Sequence, residues 1–254
     1  GVVLVSMGFV VTLIENQETV GSLFVVAGIF AVIVSVRKIL KSVITLFAPN
    51  QEGQLLNIMY HRGVLASGPR VVAIGGGTGL SVLLHGLKER TSNITAIVTV
   101  ADDGGSSGRL RDQFGVLPPG DIRNCLVALA DAEPLMQELF QFRFKEGASD
   151  LSGHSFGNLF ILAMSKITGD FEKAVRESSR ILNIRGRVVP STISEVTLAA
   201  HHADGRVTAG ESRISACDSP IDRIYLKPES VPATEDAIQA IRAADVIVLG
   251  PGSL

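Results

Sequence analysis

Charge is scarce in this sequence and nearly balanced. Asp, Glu, Lys and Arg make up only 19% of its 254 residues, and the formal net charge is −2. Such a chain offers no bulk attraction to nucleic acid, which needs a basic face, so no nucleic-acid partner is expected. Cysteine is scarcer still. Cys125 and Cys217 are the two present, and they form no Cys-x-x-Cys pair. That argues against a disulfide framework or a zinc site and fits a reducing compartment. No internal repeat or low-complexity tract is found.

What the chain has in quantity is apolar residues, 46% of the total, and they are unevenly spread. Residues 1–47 are almost wholly apolar, while residues 70–254 read as an ordinary α/β domain. Residues 1–14 carry no charge, 15–19 are polar, and 20–36 are again free of charge. Arg37, Lys38 and Lys41 follow. A spanning helix needs roughly 17 or more apolar residues, so residues 1–41 predict a transmembrane helical hairpin. The positive-inside rule places its basic end in the cytoplasm and the acidic turn outside. This implies a membrane partner and a cell-membrane location with a cytoplasmic domain, the alternative being a core hairpin of a cytoplasmic protein. Residues 42–69 are expected to be a connector, with a short helix over 54–61. The chain starts at Gly1 and stops just after a strand, so both ends are expected to be cuts in a longer protein.

The strongest local signal begins at Arg70. Residues 70–74 are a short β-branched run, read as a buried parallel strand. Gly75-Gly76-Gly77-Thr78-Gly79 follows, then a helix pattern with Leu80, Leu83, Leu84 and Leu87 on one face. Residues 93–100 form the next strand. This is the first βαβ unit of a Rossmann-like, doubly wound, mainly parallel sheet spanning 70–254. Glycines turn the chain tightly and let backbone N–H groups reach an anion at a helix N-terminus. A phosphate is the natural guest; the alternative is a plain strand-to-helix turn. The loop is no P-loop, since no Gly-Lys-Ser/Thr follows, and Leu80 replaces the last glycine of the dinucleotide fingerprint.

Further motifs fall at strand ends that face the ligand crevice. Asp102-Asp103-Gly104-Gly105-Ser106-Ser107-Gly108-Arg109 offers carboxylates for a ribose or a metal ion, and serines with Arg109 for a second anion. It also reads as a solvated Asp-Gly turn. In Pro118-Pro119-Gly120-Asp121-Ile122-Arg123-Asn124, Asp121 is placed either as a helix cap or as a ligand contact. In Gly153-His154-Ser155-Phe156-Gly157-Asn158, His154 could donate a hydrogen bond or act as an acid, or merely cap and pack. Residues 186–214 read as extended, with hairpin signals at Val188-Val189, at 196–198 and at Asp204-Gly205. His201 and His202 point to opposite faces of a strand, a poor metal pair, and are read as surface or edge residues. Residues 234–244 predict a helix and 245–249 a buried strand. Gly250-Pro251-Gly252-Ser253 then makes another turn at the crevice.

Taken in order, these five motifs resemble the YvcK/CofD-like family, and within it the YvcK branch, the gluconeogenesis factors. The resemblance runs from Arg70 to Leu254. It implies a Rossmann-like fold with a bound nucleotide. In the CofD branch it implies transfer of a phospholactyl group from a guanosine diphosphate-linked donor, with magnesium. In the YvcK branch it implies a regulator that binds UDP-sugars, notably UDP-N-acetylglucosamine, and acts in cell shape, peptidoglycan synthesis and gluconeogenic growth.

Two functions follow. As a nucleotide-sugar sensor, the chain would hold the diphosphate on Gly75–Gly79 and the ribose or base on Asp102 and Asp103. Asn124, His154 and Asn158 would contact the rest of the ligand, and Gly250–Ser253 would close the crevice. As a transferase, Asp102 or Asp103 would hold magnesium, and Arg109 or Arg123 would stabilise the leaving diphosphate. A nicotinamide oxidoreductase is disfavoured by the missing glycine. A homo-oligomer is expected.

Overall fold

The computed structural model describes residues 18–47, 63–132, 134–145, 147 and 150–251. The chain divides into two compact units, Gly1–His61 and Arg62–Leu254.

In the first unit, helix α1 spans Glu18–Phe47. The expected hairpin is not reproduced as drawn. Its first arm lies outside the described residues, and Glu18 and Thr19, expected in the turn, open the helix instead. An acidic residue is favourable in a first helical turn. The expected boundary at residue 41 is also passed, because Arg37, Lys38 and Lys41 are sound helix formers and no proline intervenes before Pro49. Among the described residues, no helix is long and apolar enough to cross a membrane, so the predicted membrane span finds no support. The short helix predicted over 54–61 lies outside the described residues.

The second unit is an α/β domain. Strands β1 (Val71–Gly75), β2 (Ile94–Val98), β3 (Arg187–Pro190) and β7 (Val246–Leu249) form one parallel sheet in the order β3-β2-β1-β7. Helices α2 (Gly77–Leu87), α3 (Gly105–Phe114), α4 (Gly120–Leu129), α5 (Pro134–Gln141), α6 (Phe156–Thr168) and α7 (Phe171–Ile181) are interspersed before β3. Strand alternation sorts the core into two layers. Ala73, Ala96, Val98 and Val188 pack with Leu80, Leu84, Ile122, Leu126, Ile161 and Val175 on one face. On the other, Val72, Ile97 and Val189 meet Ala237 of helix α9 (Glu235–Ala243). Helices therefore cover both faces, as the sequence implied.

Two strands depart from expectation. Val188-Val189, read as part of a hairpin, belongs to the parallel sheet. β3 is apolar toward both faces and joins β2 through the helical crossover. β7 was expected to be buried, yet Val246, Ile247 and Leu249 are exposed. Among the described residues β7 lies at the edge of the sheet, and α9 sits toward β3 rather than over it.

A smaller antiparallel sheet, β5-β4-β6, comprises β4 (Thr197–His202), β5 (Val207–Ala209) and β6 (Ile221–Lys227), with the short helix α8 (Glu211–Ser215) between β5 and β6. The predicted Asp204-Gly205 turn joins β4 to β5: Asp204 Oδ1 accepts from the Arg206 amide at 3.0 Å, and Gly205 has φ +84°. The two histidines do face opposite ways, but neither is at an edge, because β4 is the central strand. His201 stacks on Tyr225 in the open. His202 is buried, with Nδ1 3.0 Å from the Ser219 carbonyl and Nε2 3.0 Å from Thr208 Oγ1.

Candidate functional site

A parallel strand points its carboxyl end at the crevice where such sheets bind ligands. Here the ends of β1, β2, β3 and β7 open into a cavity of about 440 Å3, within the usual range for small-molecule sites. Gly75, Gly76 and Gly77 form one wall, with Thr99–Ala101, Ser191–Thr192 and Gly250–Pro251 beside them. Val196, Leu198 and Leu226, from the antiparallel sheet and its approach, supply an apolar wall.

The glycine loop is packed too closely for side chains. A Cβ at Gly76 would collide with Thr99 Oγ1 and stand 2.8 Å from Asp121 Oδ2, and one at Gly79 would lie 2.7 Å from Pro251 Cγ. Gly77 has φ +63°, a left-handed conformation that favours glycine. The Gly250 amide donates to the Ile74 carbonyl at 2.7 Å, which ties the last turn to the first. Thr78 is exposed on the first turn of α2. Gly252 and Ser253 lie outside the described residues.

Asp121 is not a cap. α4 begins at Pro119–Gly120, and no side chain accepts there; Asp121 instead reaches across to the glycine loop. Burial pushes its carboxyl above the usual range, and Asp102 pushes the same way, while a hydrogen bond from the Gly77 backbone and the charge of Arg123 oppose them. Asp102 Oδ1 accepts from the Gly104 amide at 2.9 Å. Asp103 is drawn away, since its Oδ1 accepts from the Ser212 amide at 2.9 Å and so caps α8. Glu211, at the start of α8, completes an acidic group. Its carboxyl is raised by burial first, then by Asp102, Asp121 and Asp103. Among the described residues, no three His, Cys, Asp or Glu side chains are arranged to hold a metal ion.

A second polar group gathers at the N-terminus of α3. Ser106 Oγ lies 2.9 Å from His154 Nδ1 and accepts from Asn158 Nδ2 at 3.1 Å. Burial lowers the His154 pKa, and Arg109 and Arg143 lower it further. That shift favours the neutral ring, which can hydrogen-bond through either nitrogen. Ser107 packs so closely on Gly120 that a Cβ there would collide with its Oγ. Arg123 Nη2 donates to Asn124 Oδ1 at 2.6 Å. Burial and Arg143 lower the guanidinium pKa, and Arg123 Nε has no hydrogen-bond partner. The sequence-predicted residues thus split into two groups. The glycine loop, Asp121, Gly250 and Pro251 line the crevice; Gly105, Ser106, Arg109 and His154 gather around α3.

Sequence reasoning missed Thr99, Ser191, Thr192 and Glu211. The first three sit at strand ends, where the crevice rule could have found them. Glu211 carries no local signal, because its neighbours are about a hundred positions away in the chain.

A parallel sheet with helices on both faces and a glycine-lined crevice at its carboxyl edge, beside a small antiparallel sheet, defines an α/β domain of Rossmann-like form. Residues 71–254 match the family model described as 2-phospho-L-lactate transferase CofD. The gluconeogenesis factor of Bacillus subtilis is 56% identical over 186 residues, 73% of this chain and 58% of that protein. A relative from Nostoc is 52% identical over 248 residues, 98% of this chain and 54% of that protein. A crystal structure of a UPF0052-family protein of Bacillus halodurans superposes with a TM-score of 0.68 at 51% identity, covering 72% of this chain and 59% of that one. The chain belongs to the CofD/UPF0052 family, in its gluconeogenesis-factor, YvcK-like branch. It spans somewhat over half the length of the curated relatives it matches.

Proposed function

We propose that this chain binds a nucleotide sugar of the UDP-N-acetylglucosamine kind in the crevice. It acts as a regulator of cell shape, peptidoglycan synthesis and growth on gluconeogenic carbon sources. One observation carries the binding half of this reading. Helices α2, α3 and α4 all begin at the carboxyl edge of the parallel sheet, and in none does the N-cap residue's own side chain cap the first turn; at α2 the Asp121 carboxylate stands at Gly77 instead. Uncapped first-turn amides are unsatisfied donors with a partial positive charge, which suits a diphosphate. The apolar wall of Val196, Leu198 and Leu226 suits a base. The carboxylates of Asp102, Asp121 and Glu211 are acceptors for ribose and sugar hydroxyls. The regulatory half rests on membership of the branch, whose Bacillus subtilis member is named a gluconeogenesis factor.

A thermal-shift series with UDP-N-acetylglucosamine, UDP-glucose, GDP and NADH, each with and without magnesium, tests the reading. A ligand at about 100 times its Kd adds about 2.7 kcal/mol. A shift selective for UDP-sugars is expected, and its absence sinks the proposal. The name of the matching family model favours a second reading, a transferase using a nucleotide diphosphate-linked phospholactate donor. A magnesium-dependent shift with GDP alone, with turnover of that donor, would establish it instead.

A further inference from the structure

Charge divides the site into two unlike cavities. The crevice is lined by Asp121 and Glu211, and no lysine or arginine is among its described lining residues. A second cavity of about 800 Å3 lies a few residues further along the same loop. Gly105, Ser106, Arg109, Arg143 and Lys145 line it, and no carboxylate is among its described lining residues. Both guanidinium groups converge on Gly153. Arg143 Nη1 donates to the Gly153 carbonyl at 2.7 Å, and a Cβ on Gly153 would stand 2.8 Å from Arg109 Nη2.

A diphosphate beside carboxylates is repelled, and the same group beside two guanidiniums and an ammonium is attracted. The glycine loop is also less open than its sequence suggests, because the Asp121 carboxylate stands against it, with Oδ2 2.8 Å from where a Cβ on Gly76 would lie. The first turn of α3 has no such occupant: Gly104 is its N-cap and no side chain accepts there. A separate feature adjoins this cavity. Asn158 is 2% exposed; its Nδ2 reaches Ser106 Oγ, a wall of the cavity, while its Oδ1 has no partner. Buried amide oxygens are rarely left so without a ligand or water to meet them.

We propose that the diphosphate of the ligand is held in this basic cavity by Arg109, Arg143, Lys145 and the first turn of α3, and not by the glycine loop. The acidic, apolar crevice then takes the uncharged, hydroxyl-bearing part of the ligand. This assignment rests on the nucleotide-sugar reading and gives its anionic end a specific place. Arginine supplies paired donors to phosphate oxygens and lysine a point charge.

The test is titration calorimetry of the whole chain with inorganic pyrophosphate and, separately, with uridine, at low salt. Wild type is compared with the double variant Arg143→Gln/Lys145→Gln. Both side chains are exposed, so the fold is expected to tolerate the change, which an unchanged melting temperature without ligand would verify. The expected result is at least a tenfold loss of pyrophosphate affinity with uridine affinity unchanged. Failure of the wild type to bind pyrophosphate, or binding by the variant within twofold of wild type, overturns the assignment. If uridine binds neither protein while the pyrophosphate pattern holds, the anion subsite stands and the nucleotide-sugar reading falls.

Discussion

The helices of this domain begin in two different ways, and the difference follows their position. α6, α7 and α9 are capped by their own sequence. Ser155, Asp170 and Thr234 accept from the amides of Asn158, Lys173 and Ala237. α2, α3 and α4, at the carboxyl edge of the sheet, start at Gly76, Gly104 and Pro119 with no acceptor on the N-cap residue itself. Capping satisfies an orphan donor and typically adds about 1 kcal/mol. Leaving these helices without a cap of their own forgoes that stabilisation and, at α3, keeps donors free for an anion. Helix starts that serve the fold are closed, and those that serve the site are open.

The sharpest way to break this contrast is to fill the tightest point of the open set. Gly76→Ala puts a methyl against Thr99 Oγ1 and Asp121. It is expected to cost about 1–3 kcal/mol, as overpacking does, and to abolish the melting shift given by UDP-N-acetylglucosamine. A variant that keeps the shift would remove the loop from the site. The closed set should respond in the opposite manner. Asp170→Ala and Thr234→Ala are each expected to lose about 1 kcal/mol in denaturant unfolding while the ligand shift stays as in wild type.

The acidic group supplies a pH test of the same division. Burial raises the Glu211 carboxyl from its ordinary value of 4.5, so the folded state holds a proton that the unfolded chain releases. Stability contributed by this group therefore falls as pH rises from about 4.5 through the raised folded value. Glu211→Gln should lack that fall and melt progressively higher than wild type across the window. On the exposed surface the sign reverses. Arg70, by hydrogen bonds and charge, holds Asp245 down to about 2, so that pair loses its contribution as pH falls from 3.8 toward 2. Parallel melting curves for wild type and Glu211→Gln as pH rises above 4.5 would contradict the assignment of a buried, raised carboxyl at Glu211. The smallest effect is expected from Gly104→Ser, which offers α3 a cap of its own. Stability should change by only a few tenths of a kcal/mol, yet pyrophosphate and nucleotide-sugar affinity should drop, because the new hydroxyl competes for the same amides.

Local chemistry made much of this legible in advance. β1, β2 and the glycine loop were readable because β-branched runs, glycine turns and a leucine-faced helix are signals within about ten residues. The helix predicted over 234–244 follows the same logic, opening at its Thr234 cap. For Asp121 the sequence left cap and ligand contact open, since its position in the first turn of α4 is the same whether it bonds its own helix or faces the glycine loop. Asp103 was read as a ligand contact because nothing near it reveals that α8, more than a hundred residues on, takes its oxygen. The exposure of β7 was hidden for a related reason: an apolar run looks alike whether or not a helix comes to cover it. The second cavity needed the return of residues 143–145 and 152–153 to α3, a long-range contact with no periodic signature.

The most direct test follows backbone amides by heteronuclear NMR as UDP-N-acetylglucosamine is added. Shifts are predicted to concentrate in the uncapped first turns, strongest at Gly105, Ser106 and Ser107 of α3, and to leave the capped first turns of α7 and α9 untouched. Saturating ligand that leaves the first turns of α2, α3 and α4 unmoved would contradict the account.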